Sequence, residues 1–168
     1  MIDLVSIKVV QSKEDITIQK TILNSHPAYN QVVMAKEFLT EEDIIKDNEE
    51  NLKLGAEYYY ITKDNEPVGL IHYLLNHKSD HLPWIGLLIV HKQHGRGGVA
   101  SKALHLLEKK LIDQNKQKVR LCVQDGNEIG AVFWRQEGFV IINSATDGHN
   151  NRVDIYEKKL YPDRYQCS

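Results

Sequence analysis

Seven residues, His91-Lys92-Gln93-His94-Gly95-Arg96-Gly97, join an apolar run ending at Val90 to an amphipathic segment opening at Gly98. Glycines and cationic side chains gathered in a strand-to-helix turn suit an anion. The free N–H groups of a helix N-terminus point outward with the positive end of the helix dipole, and glycine lets phosphate oxygens approach with no Cβ in the way. These properties predict a phosphate site within the stretch from Val90 to Ser101. The spacing is not GxxxxGK[ST], which argues against a nucleoside-triphosphate loop, and it is no clean GxGxxG, which weakens a dinucleotide fold. A merely tight turn before an amphipathic helix has a similar composition, so the assignment needs a second signal.

That signal lies at Asn127-Glu128-Ile129-Gly130-Ala131-Val132-Phe133-Trp134-Arg135-Gln136-Glu137-Gly138-Phe139. The run is similar to the NxxAxxxYxxxGF run of the GNAT acetyltransferase superfamily. Upstream, Val90 to Ala100 resembles the acetyl-CoA signature of that family, [RQ]xxGx[GA], with Gly95 at the first position, Gly98 at the glycine and Ala100 at the last. Glycine replaces the usual arginine or glutamine, and Arg96 stands one place later. The resemblance covers roughly Tyr58 to Lys158. It implies acetyl-CoA as cofactor, released as CoA. The pyrophosphate would rest on the main chain of Gly95, Arg96, Gly97, Gly98, Val99, Ala100 and Ser101. The pantetheine arm would pair as a pseudo-strand with Leu88, Ile89 and Val90, in a V-shaped gap left where the central strand splays from its neighbour after Val90. By the same resemblance Asn127 hydrogen-bonds the arm, Gly130 gives a small surface beside it, and Phe133 and Trp134 complete the wall. Trp134 stands where the family usually carries a tyrosine credited with protonating the departing thiolate. An indole N–H does not titrate usefully, so Trp134 reads as a wall.

Acetyl transfer needs a neutral amine, a polarised thioester carbonyl and an exit for the released proton. Many relatives carry a glutamate in the strand before the loop, but Trp84 to Val90 has no carboxylate. The substitutes are His72 and Tyr73, with Asp80 and His81 behind them; His72 ranks first because histidine titrates near neutral pH. For each of them ordinary core or surface placement is the simpler reading. A backbone N–H near Ile89 or Val90 could polarise the carbonyl. The acceptor pocket is expected from His26, Tyr29 and Asn30, from Trp84, and from the loop holding Asp147 and His149. Tyr58-Tyr59-Tyr60 reads as strand. The expected acceptor is an amine-bearing small molecule or peptide; a catalytically silent acyl-CoA-binding module is the alternative.

The elements that must position these groups follow from periodicity. Val5 to Val9 alternates as a strand, and Asp15 opens a helix through Ile16, Ile18, Ile22 and Leu23 that Ser25-His26-Pro27 breaks. Thr40 and Asp43 form a capping box. Tyr58 to Thr62 and Val68 to Leu75 make a hairpin across Lys63 to Pro67, and Trp84 to Val90 is apolar enough to be central. The helix from Gly98 to Gln114 buries Val99, Ala103, Leu104, Leu107 and Leu111 and turns Lys102, Glu108 and Lys109 to solvent. A strand at Val119 to Val123, a helix at Asn127 to Glu137 and strands from Phe139 and Arg152 complete the order βααβββαβαββ. The resulting fold is α/β (α+β), a mixed, mostly antiparallel twisted sheet flanked by helices, with residues 1–168 as one domain.

Composition sets the outer bounds. With 42% hydrophobic and 26% charged residues, the chain reads as an ordinary soluble protein. It has neither a signal-peptide start nor the ~18 apolar residues of a membrane span, so a cytoplasmic location is expected. A net charge of −2 argues against nucleic acid, whose phosphates need a clustered positive surface, and Arg96-Gly97-Gly98 alone does not supply one. Cys122 reads as core and Cys167 as tail, and no metal-ligand spacing is present. The reading leaves a homodimer possible.

Overall fold

The computed structural model describes residues 1–148 and 150–162, so His149 and Cys167 lie outside the described residues. The elements are β1 (Ile2–Ser6), α1 (Lys13–Leu23), α2 (Pro27–Met34), α3 (Glu41–Lys53), β2 (Glu57–Lys63), β3 (Glu66–Leu74) and β4 (Trp84–Val90). A single 3-10 turn at Lys92–His94 leads to α4 (Val99–Asp113), β5 (Lys118–Gln124), α5 (Glu128–Gln136), β6 (Val140–Thr146) and β7 (Arg152–Lys159). The strands form one sheet in the order β1-β2-β3-β4-β5-β7-β6, antiparallel except for β4 against β5. This is the mixed, mostly antiparallel sheet expected from the sequence.

Local chemistry explains most boundaries. Ser12 caps α1 by accepting from the Asp15 N–H, and Thr40 and Asp43 cap α3 reciprocally at 3.1 and 2.8 Å. The β2–β3 connection is tighter than expected. Asp64 and Asn65 both take positive φ, which makes a two-residue hairpin pairing Lys63 with Glu66. Each face of the sheet carries its own core, and a further apolar cluster of Ile16, Leu39 and Ile44 lies among the helices. On one side of the sheet α4 buries Ala103, Leu104, Leu107 and Leu111 against Ile71, Tyr73, Val119 and Leu121. On the other, Ile22 of α1 packs with Tyr58, Tyr60, Leu70 and Ile89.

Four expectations need correction. The first strand spans Ile2–Ser6 rather than Val5 to Val9, because Ile7 and Val10 leave the ladder and are buried under α1. A third helix, α2, stands before β2: Pro27 stops α1 but occupies the first turn of a new helix, where its missing N–H costs nothing. Glu108 is not solvent-facing; it is fully buried and ion-paired with Lys158 of β7 at 2.7 Å. Cys122 is exposed, because the alternation of β5 that sends Val119, Leu121 and Val123 to the α4 core turns Cys122 to the opposite face. Among the described residues, no helix is long and apolar enough to cross a membrane.

The Glu108–Lys158 pair yields a stability prediction. Glu108→Ala leaves a buried ammonium without its counter-charge and should cost about 3–5 kcal/mol. Replacing both partners, Glu108→Leu with Lys158→Met, should recover most of that loss. Chemical denaturation of the single and double variants measures both, and a loss below about 1 kcal/mol in the single variant contradicts the buried-pair account.

Candidate functional site

The site begins with one extra residue. In the β3–β4 ladder His72 pairs with Leu87 and Tyr73 with Ile85, so Gly86 has no partner and forms a β-bulge. A bulge bends its strand and increases the local twist. On the other side of β4, the parallel ladder with β5 holds only Trp84 to Arg120 and Ile85 to Leu121. The strands therefore part from Gly86 onward, not after Val90 as the sequence suggested. The N–H of His91 donates to Val68 of β3 at 2.7 Å. By strand alternation Ile89 also turns its backbone groups toward β3, while Leu88 and Val90 turn theirs into the gap. Of the expected trio, Leu88 and the Val90 N–H thus present an open edge, the Val90 carbonyl is met by His26, and Ile89 is turned away.

Two contacts secure the mouth of this gap. His26, at the corner between α1 and α2, sets Nε2 2.6 Å from the Val90 carbonyl, and Ser25 Oγ accepts from the Lys92 N–H at 3.1 Å. Beyond lies the start of α4. Gly97 and Gly98 adopt φ of +80° and +72° in succession, a conformation that side chains rarely tolerate, and a Cβ on either would point into open space. Side chains cap α1, α3 and α5, but among the described residues none caps α4. Its first N–H groups are thus presented to an incoming acceptor at the positive end of the longest helix. Gly95 has negative φ, so its glycine is not required by backbone conformation. Arg96 is exposed, Ala100 is half-buried, and Val99 anchors the helix in the core. The Ser101 hydroxyl donates to the Glu137 carboxylate at 2.9 Å, which leaves its N–H as the group facing the turn. Across the gap Asn127 caps α5 by accepting from the Gly130 N–H at 3.0 Å. A Cβ on Gly130 would lie 2.5 Å from Asn127 Nδ2, so glycine there keeps the cap in place. Trp134 is buried edge-on between Phe133 and Phe139.

A cavity of about 210 Å³ opens on the opposite face, between α1–α3 and β2–β4. Tyr29 and Asn30, expected in an acceptor pocket, and His72, expected as a base, all line it; Asp47, Asn51 and Gly86 line it as well and were not foreseen. Asp43, Asp47 and Asn51 recur every four residues along α3, a spacing that the capping box at Thr40 would have located on one face. The imidazole of His72 packs against the bulge so closely that a Cβ on Gly86 would stand 2.5 Å from the ring. Its Nε2 lies 3.5 Å from Asn51 Nδ2, which also donates to Tyr58 Oη at 3.0 Å. Burial pulls the His72 pKa down to about 4, so the ring is neutral at physiological pH and does not titrate there as anticipated. Burial, then Asp47, pushes Tyr29 up to about 12, and burial, then Glu50, raises Asp47.

The remaining candidates fall elsewhere. Tyr73 points to the α4 core, 1% exposed and stacked on Tyr59, with burial first among the causes that raise its pKa. Adjacent strand residues face opposite ways, so it cannot share a site with His72. His26 is taken up by the Val90 carbonyl and does not line the cavity. Trp84 does not line it either; its Nε1 donates to Asp80 at 2.9 Å at the closed end of the gap. His81 takes a positive φ in the connection before β4.

The model of the acetyltransferase (GNAT) family matches residues 22–139. The chain belongs to the GNAT acetyltransferase family. Its fold is similar to that of an acetyltransferase from Thermus thermophilus, with a TM-score of 0.75 at 20% identity over 95% of this chain and 97% of that one. PaiA N-acetyltransferase from Thermoplasma acidophilum, solved with coenzyme A, gives 0.63 at 16% identity over 95% and 99%. Spermidine N-acetyltransferase from Vibrio cholerae, solved with CoA and spermine, gives 0.68 at 12% identity over 95% and 94%. At these identities the likeness concerns the fold. Among curated proteins no relative matches. The protein is thus a GNAT-type acyltransferase.

Neutral burial of His72 in this GNAT cavity has a measurable consequence. Its folded pKa, about 4, lies below the unfolded value of 6.5, so the unfolded chain binds the additional proton between them. Stability from this group is complete above pH 6.5 and falls as pH drops toward 4, by about 3 kcal/mol in all. Denaturation of wild type and His72→Leu across that window should show a shallower acid slope in the variant. Parallel slopes contradict the assignment.

Proposed function

We propose that this GNAT enzyme transfers the acetyl group of acetyl-CoA directly to the amine of a small molecule or peptide, with residues 1–168 acting as one domain. The observation that carries this reading is the parting of β4 from β5 at Gly86, directly before an uncapped α4 N-terminus and back to back with a polar cavity. These residues fit the cofactor. An extended amide-bearing arm can pair with the open edge at Leu88 and Val90, a pyrophosphate can take the N–H groups from Gly97 to Ser101, and Asn127 Nδ2 is left to donate. When bound, acetyl-CoA supplies an acetyl group activated as a thioester. The CoA complexes among structural neighbours support the same choice.

The protein's part in the chemistry is positioning. A gap-facing N–H at Leu88 or Val90 polarises the thioester carbonyl without any special side chain. Trp134, wedged between two phenylalanines, walls the thiol end. With no carboxylate on β4, and with burial making the His72 imidazolium too acidic for the ring to serve as a base near neutral pH, the acceptor's proton passes to water. The acid limb of kcat/KM should therefore follow the pKa of whichever amine is supplied, and the limb should survive in His72→Ala. An acid limb fixed at one pH for amines of different basicity contradicts this route.

Gly98→Val tests the phosphate site, since it puts a β-branched residue at φ +72° and a side chain where the N–H groups open outward. Acetyl-CoA affinity by calorimetry should fall at least about tenfold with circular dichroism unchanged. Unaltered affinity would show the phosphates to be elsewhere. Tight acetyl-CoA binding with no CoA released across a broad amine panel would instead favour a silent binding module.

A further inference from the structure

One acceptor atom in the α1–α3 cavity has no donor. Asn30, 1% exposed, donates through Nδ2 to the carbonyls of Leu23 at 2.9 Å and Glu37 at 3.0 Å, and more weakly to Asn24 Oδ1 at 3.4 Å. All three neighbours are acceptors, which fixes the amide orientation. Its Oδ1 has no hydrogen-bond partner among the described residues, although the side chain lines the cavity. An orphaned buried carbonyl is rare in folded proteins and points to a donor supplied from outside.

The other polar groups agree. Asp47 accepts one long bond, from Asn51 Nδ2 at 3.3 Å, whereas Asp43 is occupied by Lys36 at 3.0 Å and by the Thr40 N–H. The amide donors are spent inside the protein: Asn51 on Tyr58 and Asp47, Asn48 on Gln11 and Gln19. Among the described residues lining the cavity none is lysine or arginine, and much of the remaining wall is apolar, including Leu23, Val33, Ile44 and Leu87. The Tyr29 and Tyr58 hydroxyls and the His72 ring can donate as well as accept, but the charged group among them is the Asp47 carboxylate, and with the Asn30 carbonyl beside hydrocarbon it is the complement of an alkylammonium.

We infer that Asp47 and Asn30 Oδ1 hold an ammonium group, and that the acceptor is an aliphatic diamine whose second nitrogen is acetylated where the cavity meets Gly86 and Leu87. The inference rests on the acetyl-transfer reading. Two nitrogens are required because a carboxylate stabilises the protonated form of the amine it binds, and an ammonium has no lone pair with which to attack. At the free end a nitrogen–carbon bond forms to the acetyl carbon, the carbon–sulfur bond breaks with its electron pair leaving on sulfur, and the amine proton passes to water.

The test uses the full chain with 1,4-diaminobutane, butylamine and 4-aminobutyrate, each measured by CoA release and by calorimetric titration in the presence of CoA. Wild type should favour the diamine over butylamine at least about tenfold in kcat/KM, as expected for a charged hydrogen bond, and should use 4-aminobutyrate least. Asp47→Asn, nearly isosteric, should erase that preference mainly through KM while keeping the wild-type melting temperature. Equal use of diamine and butylamine, or a preference that survives in Asp47→Asn, overturns the diamine assignment and leaves acetyl transfer standing. Diamine binding that is lost in Asp47→Asn, without CoA release from any amine, upholds the ammonium site and removes the acetyl-transfer reading. Neither binding nor turnover overturns both.

Discussion

A single unpaired residue in the middle of a seven-stranded sheet sets the rest of the structure. Gly86 has no partner in the β3–β4 ladder, and the β4–β5 ladder stops one residue before it. The bulge bends β4 and raises its twist where the ladder with β5 ends, so its final residues leave backbone groups open at the centre of the molecule. Glycine is needed at the bulge for a specific reason: the His72 ring occupies the place of a Cβ. One position therefore shapes both faces of the site, the gap toward β5 and the cavity toward α3.

An open seam through a sheet survives only if its two ends are held. At the closed end Trp84 donates to Asp80, Arg120 bridges Asp80 at 3.3 Å and Glu157 at 2.7 Å, and the chain of contacts ties β4, β5 and β7 together. At the open end the α1–α2 corner grips β4 through His26 and Ser25. Between them the fully buried Leu104, Leu107 and Leu111 of α4 supply apolar burial of roughly 1.5–3 kcal/mol each. That is sufficient to offset a few backbone groups left to a ligand or to water. Keeping the gap open is thus compatible with a stable domain core on either side.

Much of this was legible in the chain. The α4 core positions and the capping box rest on short-range rules of spacing, as do the glycine turn before α4 and the Asn127 run from which the family assignment grew. What escaped was set by pairing between distant segments. The bulge depends on how β3 meets β4, and no local pattern distinguishes Gly86 from any glycine in an apolar strand. Glu108 looked solvent-facing because Lys158, its partner, lies on a distant strand. Cys122 looked buried because the residue type usually is, while strand alternation decided otherwise. An acceptor pocket was expected from loops, whereas α2 and α3 build much of the α1–α3 cavity: Pro27 starts a helix as readily as it ends one, and the spacing that puts Asp47 and Asn51 on one face of the helix capped by Thr40 shows which wall they form only once α3 is packed against the sheet.

The central claim is that the edge of β4 opened by Gly86 receives the cofactor. Amide hydrogen exchange, followed residue by residue with and without acetyl-CoA, examines it most directly. The account predicts that Leu88, Val90 and the N–H groups from Gly97 to Ser101 become protected on binding, while Ile89, already paired with β3, changes little. Protection confined to α1–α3, or Leu88 and Val90 exchanging at the same rate in both states, would contradict it.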